Sequence, residues 1–158
     1  MSKKIASPYV FWIAMSFIAG AVGAYFSFDG VTTWYAMLNL PAWTPPNAVF
    51  GPVWTVLYVC MGIAAGLVAK APHRKGKKYV LRLFGLHLVL NAAWSFVFFG
   101  LHMPLLALFV IVFLWIAICI LGLLFYTYSP KAGYLMFVYL LWVSYAITLN
   151  AGILILNP

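Results

Sequence analysis

Five long apolar stretches, separated by polar or proline-containing segments, account for almost the whole chain. They predict helices over about residues 8–28, 46–69, 79–100, 105–128 and 132–156. Each stretch is long enough to cross the hydrocarbon core of a bilayer, which takes about 20 helical residues. None alternates between polar and apolar positions as the strands of a membrane barrel do. The pattern therefore predicts an all-α integral membrane protein, with residues 1–158 forming a single bundle of five transmembrane helices.

Composition supports this interpretation, because 67% of the residues are hydrophobic and only 6% are charged. Soluble domains carry roughly a quarter charged residues. The apolar part of the first stretch is longer than the core of a signal peptide, which has about 7–15 residues, so we expect a retained span. The protein is thus predicted to be multi-pass, with membrane lipid as its surroundings.

The net charge of +8 would suggest nucleic acid in a soluble protein, but here it indicates topology. The nine Lys and Arg all lie in or beside the N-terminal tail, the second connection and the fourth connection. Positive charge is enriched in cytoplasmic loops. We therefore expect the N-terminus inside, the C-terminus outside, and the basic loops in the cytoplasm, in a bacterial cytoplasmic membrane with no nucleic-acid partner.

The connection over residues 29–45 is unusually long and rich in Trp, Tyr and Pro. Typical connections have about 4–6 residues, and longer ones tend to be functional or disordered. We expect a short helix around Thr32–Leu38 and then a proline-braced turn, "PAWTPP", which folds over the bundle as an extracytoplasmic lid containing Trp43. The alternative is an interfacial aromatic belt, which also places Trp and Tyr at headgroup depth.

Polar and aromatic residues recur at helical spacing on three of the predicted spans. Such residues in spans usually face the bundle interior. The stripes are Trp54 and Tyr58 on the second span, His87, Asn91, Trp94 and Ser95 on the third, and Trp142, Ala146, Leu149 and Asn150 on the fifth. Most fall in the half beneath the long loop and predict an aromatic pocket there. Alternatively, the Asn residues only hydrogen-bond between helices and the Trp residues fill the core.

Most catalytic and metal-binding arrangements are excluded by the residue types. Asp29 is the only acidic side chain, so a pair of catalytic carboxylates cannot form. His87 has no second ligand at metal spacing, and a structural hydrogen bond is its expected role. Cys60 and Cys119 lie within apolar runs and are expected to act as small hydrophobes. No metal or cofactor is predicted to be required, and the pocket suits a large, flat, mostly apolar ligand.

Four sequence pieces, in order along the chain, resemble the TspO/MBR family of tryptophan-rich sensory and translocator proteins. They are "WYAMLNLPAWTPP" at 34–46, "FGPVWTVLYVCMG" at 50–62, "LNAAWSFVFFG" at 90–100 and "YLLWVSYAITLN" at 139–150. The resemblance implies a five-helix membrane protein, commonly a homodimer, that binds tetrapyrroles such as protoporphyrin IX as a sensor or transporter. The residues that match the family's ligand pocket are Tyr35, Pro45, Trp54, Asn91, Trp94, Trp142, Ala146 and Leu149.

The resemblance also leaves alternatives open. Some bacterial relatives resemble a light-dependent porphyrin-degrading enzyme, for which Trp54 and Trp142 would be the catalytic residues here. A third alternative is a lipid- or sterol-binding transport protein with the same pocket, since animal relatives bind sterols. The chain ends in "AGILILNP", without the Tyr and basic residue of the animal sterol pattern, so sterol binding at that site is not expected. For the dimer, small-residue pairs such as Gly62 and Gly66, or Gly20 and Ala24, offer close helix contacts, although they serve packing within one bundle equally well.

Overall fold

The computed structural model describes residues 7–73 and 75–158 and contains five long α-helices. They are α1 (Pro8–Thr32), α2 (Asn47–Lys70), α3 (Lys77–Ser95), α4 (Pro104–Tyr128) and α5 (Pro130–Leu156). All five are long and apolar enough to span a bilayer, α3 together with the turn that follows it. The described part of the chain contains no strand. The predicted all-α, five-helix fold is confirmed.

The predicted helix boundaries are close to those of the structure, with one informative difference. We expected the first helix to end before Asp29-Gly30, but α1 continues to Thr32. Gly30 lies against α3, where an added Cβ would be 2.8 Å from the backbone oxygen of Phe99. This glycine therefore permits close packing instead of ending the helix. The expected short helix in the loop is a single 3-10 turn, Tyr35–Met37.

The α3 helix ends in one turn of π-helix over Phe96–Gly100. The backbone N–H of Leu101 donates to the carbonyl of Phe96 at 2.9 Å, which closes this wider turn. Such single π turns are rare and are frequent at functional sites. Here the turn brings two consecutive side chains, Phe98 and Phe99, to the same cavity.

The helices form a ring in the order α1, α2, α5, α4, α3. Its core is apolar and closely packed, with Met61, Phe84 and Phe125 fully buried. We call the end with Lys70, Lys77 and Lys131 the basic end, and the end with residues 33–46 the loop end. At the basic end, Lys77 Nζ donates to the carbonyls of Ala69 and Ala71 at 3.0 and 2.7 Å. This bond places a positive charge at the C-terminus of α2, where the helix dipole favours it.

The α1 helix changes its neighbour along its length. Near the basic end, Gly66 lies directly against Tyr9 and Gly62 directly against Ile13, so α1 and α2 are in close contact. Near the loop end, α1 instead approaches α3, where an added Cβ at Gly23 would be 3.0 Å from Ser95 Oγ. The α1 and α2 helices therefore separate toward the loop end.

We expect the contact at Gly62 to be essential for the packing of α1 on α2. A Cβ at this position would collide with the backbone of Ile13, which cannot move without displacing α1. Gly62→Ala should therefore destabilise the protein by about 1–3 kcal/mol, as overpacking does. Gly85→Ala is the matched control because a Cβ there meets nothing within 4 Å. It should be neutral or stabilising by up to about 1 kcal/mol, the helix-propensity gain of Ala.

Thermal unfolding of both variants in detergent, followed by circular dichroism, measures the difference. Equal midpoints for Gly62→Ala and Gly85→Ala would contradict the assigned role of Gly62.

Candidate ligand-binding site

A cavity of about 500 Å³ lies in the loop-end half of the bundle, between α1, α2, α3 and α5. Its volume falls in the range of small-molecule sites, roughly 300–1,000 Å³. None of the described residues that line it is charged. The predicted pocket therefore has a counterpart in the structure, on the side where the stripes of polar and aromatic residues meet.

The α2 and α5 walls present aromatic faces to the cavity. Trp54 is stacked on Tyr58, one turn away, with ring centroids 5.5 Å apart and planes at 27°. The i, i+4 spacing places both side chains on one face of α2. On α5, Trp142 packs edge-on against Phe50 at 6.0 Å. All four rings line the cavity.

The α3 wall adds a second stacked pair. Trp94 and Phe98 are also at i, i+4, with ring centroids 5.3 Å apart and planes at 24°. The Trp94 indole N–H donates to Asn150 Oδ1 at 3.2 Å, and Asn150 Nδ2 donates to the carbonyl of Pro104 at 2.9 Å. Asn150 thus joins three helices, fixes the orientation of the Trp94 ring and lines the cavity as well.

A buried polar layer lies behind the cavity, toward the basic end. Asn91 Nδ2 donates to the hydroxyl of Tyr139 at 2.8 Å, and the Tyr58 hydroxyl donates to Asn91 Oδ1 at 3.4 Å. Both hydrogen bonds link different helices. Asn91 therefore makes the hydrogen bonds between helices that the alternative to a pocket residue describes. His87 is also buried, and its Nδ1 is 3.0 Å from the carbonyl of Phe84, in line with the expected structural role.

The α1 wall was not predicted as part of the site. It consists mostly of small residues at helical spacing, including Gly20, Ala24 and Ser27. The sequence marks it only by the small-residue pair Gly20 and Ala24, a pattern that predicts helix packing. Small residues at helical spacing occur both at close helix contacts and on cavity walls, so their spacing in the sequence does not distinguish the two.

The long loop lies across the loop end and contacts α5 in particular. Tyr35 is buried and lines the cavity, and burial raises the pKa of its hydroxyl, with the nearby Tyr145 adding to the effect. Asn39 and Asn157 exchange two hydrogen bonds at 2.9 and 3.0 Å. Pro41 packs on Gly152, and a Cβ added to this glycine would be 2.5 Å from Pro41 Cγ. The loop therefore covers this end of the bundle.

Trp43, by contrast, is 55% exposed and does not line the cavity. Its backbone carbonyl accepts a hydrogen bond from the Tyr145 hydroxyl, and the edge of its ring lies near Gly152. The loop thus has features of both interpretations, since Tyr35 faces inward as in a lid and Trp43 faces outward as in an aromatic belt.

The structure brings together eight of the eleven predicted binding residues on the cavity wall. These are Tyr35, Trp54, Tyr58, Trp94, Trp142, Ala146, Leu149 and Asn150. Asn91 lies one layer behind, and Trp43 and Pro45 lie in the loop outside the wall. Within residues 7–73 and 75–158, no cluster of His, Cys, Asp or Glu could hold a metal ion.

Comparison with known proteins agrees with this architecture. The sequence profile of the TspO/MBR family matches residues 12–156. The chain is 39% identical to the tryptophan-rich protein TspO of Chlorobaculum tepidum over 159 aligned positions that cover all of both chains. It is 39% identical to the protein of the same name from Archaeoglobus fulgidus, covering 87% of this chain and 89% of that one.

The human translocator protein is 37% identical, with 82% of this chain and 78% of the human chain aligned. The family profile and the alignment with the Chlorobaculum tepidum protein both span the helices and the loop that build the cavity. The chain is an integral, multi-pass membrane protein and belongs to the TspO/MBR family.

Proposed function

We propose that the protein binds a tetrapyrrole such as protoporphyrin IX in this cavity and acts as a membrane sensor or transporter of it. The observation that supports this most is the enclosure of one apolar space by the rings of Trp54, Trp94 and Trp142. Aromatic faces hold flat conjugated ligands by stacking, which adds to the gain from burying apolar surface. The tetrapyrrole itself is suggested by the family resemblance.

The absence of charge on the described cavity wall constrains how a porphyrin would lie. A carboxylate buried without a partner is costly, and none of the lining residues can neutralise it. We therefore place the macrocycle inside and its propionates at the rim, near the exposed Asn47 at the start of α2. The ring system would then be desolvated while its acidic groups stay near the membrane surface.

The proposal includes an orientation and an oligomeric state. The basic end faces the cytoplasm, which places the cavity in the outer half of the membrane, in accord with the tendency of Lys and Arg to remain inside. A homodimer is suggested by the resemblance. Its interface does not involve Gly62 and Gly66, because these residues already pack α2 against α1.

The charge argument predicts a rank order of ligands. Purified protein should shift the Soret band of protoporphyrin IX in the dark, and the dimethyl ester should bind at least as tightly. A porphyrin with additional carboxylates around the ring should bind more weakly by about tenfold or more, since some of its charges cannot reach the rim. Absorbance titration in nanodiscs gives the three affinities. Equal affinity for all three would contradict the orientation, and no Soret shift for any would contradict the tetrapyrrole proposal.

A second candidate is light-dependent oxidation of the bound porphyrin. The observation that favours it is the presence of two oxidisable indoles, Trp54 and Trp142, on adjoining walls of the cavity. In that reaction the excited porphyrin would take an electron from an indole and pass it to dissolved dioxygen. The oxidised indole would then recover an electron from the porphyrin, so that the porphyrin is the net electron donor and dioxygen the acceptor. Sensing or transport would require the binding alone.

Replacement of Trp142 by Phe separates the two candidates. The Phe ring still packs against Phe50, so binding of protoporphyrin IX should weaken by only a few-fold, within the range of a single aromatic contact. Phe is much harder to oxidise than an indole, so any light-driven loss of the Soret band should be suppressed. The measurement is absorbance of the complex in the dark and under illumination. Loss of binding and of photoconversion by the same factor would argue against a redox role for Trp142.

A further inference from the structure

The cavity has an uncovered side between α1 and α2. Beyond the contact of Gly20 with Tyr58, α1 follows α3, with Phe26 against Phe96 at 4.7 Å. Over the same depth α2 follows α5, through the contact of Phe50 with Trp142. Toward the loop end, α1 therefore packs on α3 and α2 packs on α5. The space between α1 and α2 is part of the cavity.

The long loop does not close this space, because it takes the opposite way around the bundle. It leaves α1 and passes first over the connection between α3 and α4, where Trp34 stacks on His102 with ring centroids 4.6 Å apart. It then crosses the end of α5 at Asn157 and Gly152 before reaching α2. The path of the loop thus explains both why the loop end of the bundle is covered and why the side between α1 and α2 is not.

The residues on both edges of the uncovered side are small and exposed. On α1 they are Ala21 and Ala24, and on α2 they are Gly51 and Thr55. At Gly51 an added Cβ would meet nothing within 4 Å, so open space lies directly beside this backbone. Ala24 is about two turns before the end of α1, roughly 12 Å along the axis. This depth places the edge within the apolar part of the membrane.

We propose that this gap is a side opening through which ligand passes between the lipid and the cavity. Gly51 and Ala24 set its width and so act as specificity-determining residues. Neither edge of the opening carries a charged residue. The opening therefore selects apolar, weakly charged molecules that are already dissolved in the bilayer, which need not shed water again on binding. For porphyrin as the ligand the inference rests on the proposed function, while the opening itself does not.

The kinetic test narrows the opening without filling the cavity. Gly51→Leu places a side chain into open space at the edge, and Gly85→Leu is the matched control on α3, where a Cβ is equally free of neighbours. In nanodiscs, with protoporphyrin IX as the probe, Gly51→Leu should slow binding and release together, each by about tenfold, with little change in affinity. Gly85→Leu should match the wild type. Ala24→Leu narrows the opening from the other edge and should repeat the effect.

A second test does not depend on porphyrin binding. Ser95 lines the cavity, and Ser95→Cys is nearly isosteric. In a background with Cys60→Ala and Cys119→Ala, the new thiol can be reacted with an uncharged maleimide that partitions into lipid or with a sulfonated maleimide confined to water. The apolar reagent should label the thiol faster, and Gly51→Leu should slow that labelling by about tenfold. Gly85→Leu should not.

The outcomes separate the opening from the proposed function. Labelling from the bilayer that Gly51→Leu slows, in a protein that shows no porphyrin binding, would support the opening and overturn the tetrapyrrole proposal. Equal labelling by the sulfonated reagent would show access from water and overturn the opening. Unchanged porphyrin kinetics and unchanged labelling in both Gly51→Leu and Ala24→Leu would also overturn it, provided that circular dichroism shows both variants folded.

Discussion

The contact between α1 and α2 at Gly62 and Gly66 determines where the two helices are joined and where they separate. In a membrane, helices gain little from the hydrophobic effect and associate by close packing, for which small residues are needed. Ile13 and Tyr9 lie directly against these glycines. One step nearer the loop end, the ring of Tyr58 lies against Gly20, and beyond it the helices diverge. The same contact that holds the first helix in the bundle therefore also positions the cavity.

The polar groups of the loop-end half complete this arrangement by fixing the other walls. Asn150 holds Trp94 and the start of α4, while Asn157 holds the loop at Asn39. Asn150 lies in α5 and Asn157 directly follows its last residue, so the end cover and the α3 wall share one support. Among the described residues, no side chain of α1 forms a hydrogen bond with another helix, and α1 is held by glycine contacts and by ring contacts such as Phe26 with Phe96. The structure is thus braced around α5 and least constrained at α1, beside the gap.

The five helices and most of the aromatic wall could be predicted because hydropathy and helical spacing are local properties of the sequence. Trp54 and Tyr58, for example, share a face wherever α2 is packed. The α1 wall could not be predicted, because small residues such as Gly20 and Ala24 line the cavity only through the way α1 is packed against the other helices. The continuation of α1 through Gly30 depends on Phe99, and the outward position of Trp43 depends on Tyr145. Contacts with residues so distant in sequence cannot be predicted from the local spacing of apolar and polar positions.

The packing of the basic half bears on how the protein can handle a ligand. Tyr139 and Asn91, with Tyr58 at their edge, form a hydrogen-bonded floor beneath the cavity. Below this floor, Met61 and Phe84 have no exposed surface, and such cores transmit no molecule without rearrangement. In this conformation a ligand therefore leaves through the side by which it entered. Passage across the membrane would require the floor to open, at the cost of its buried hydrogen bonds, whereas exchange within one leaflet through the gap between α1 and α2 would leave these bonds intact. The architecture accordingly favours capture and release within the half of the bilayer that holds the loop end.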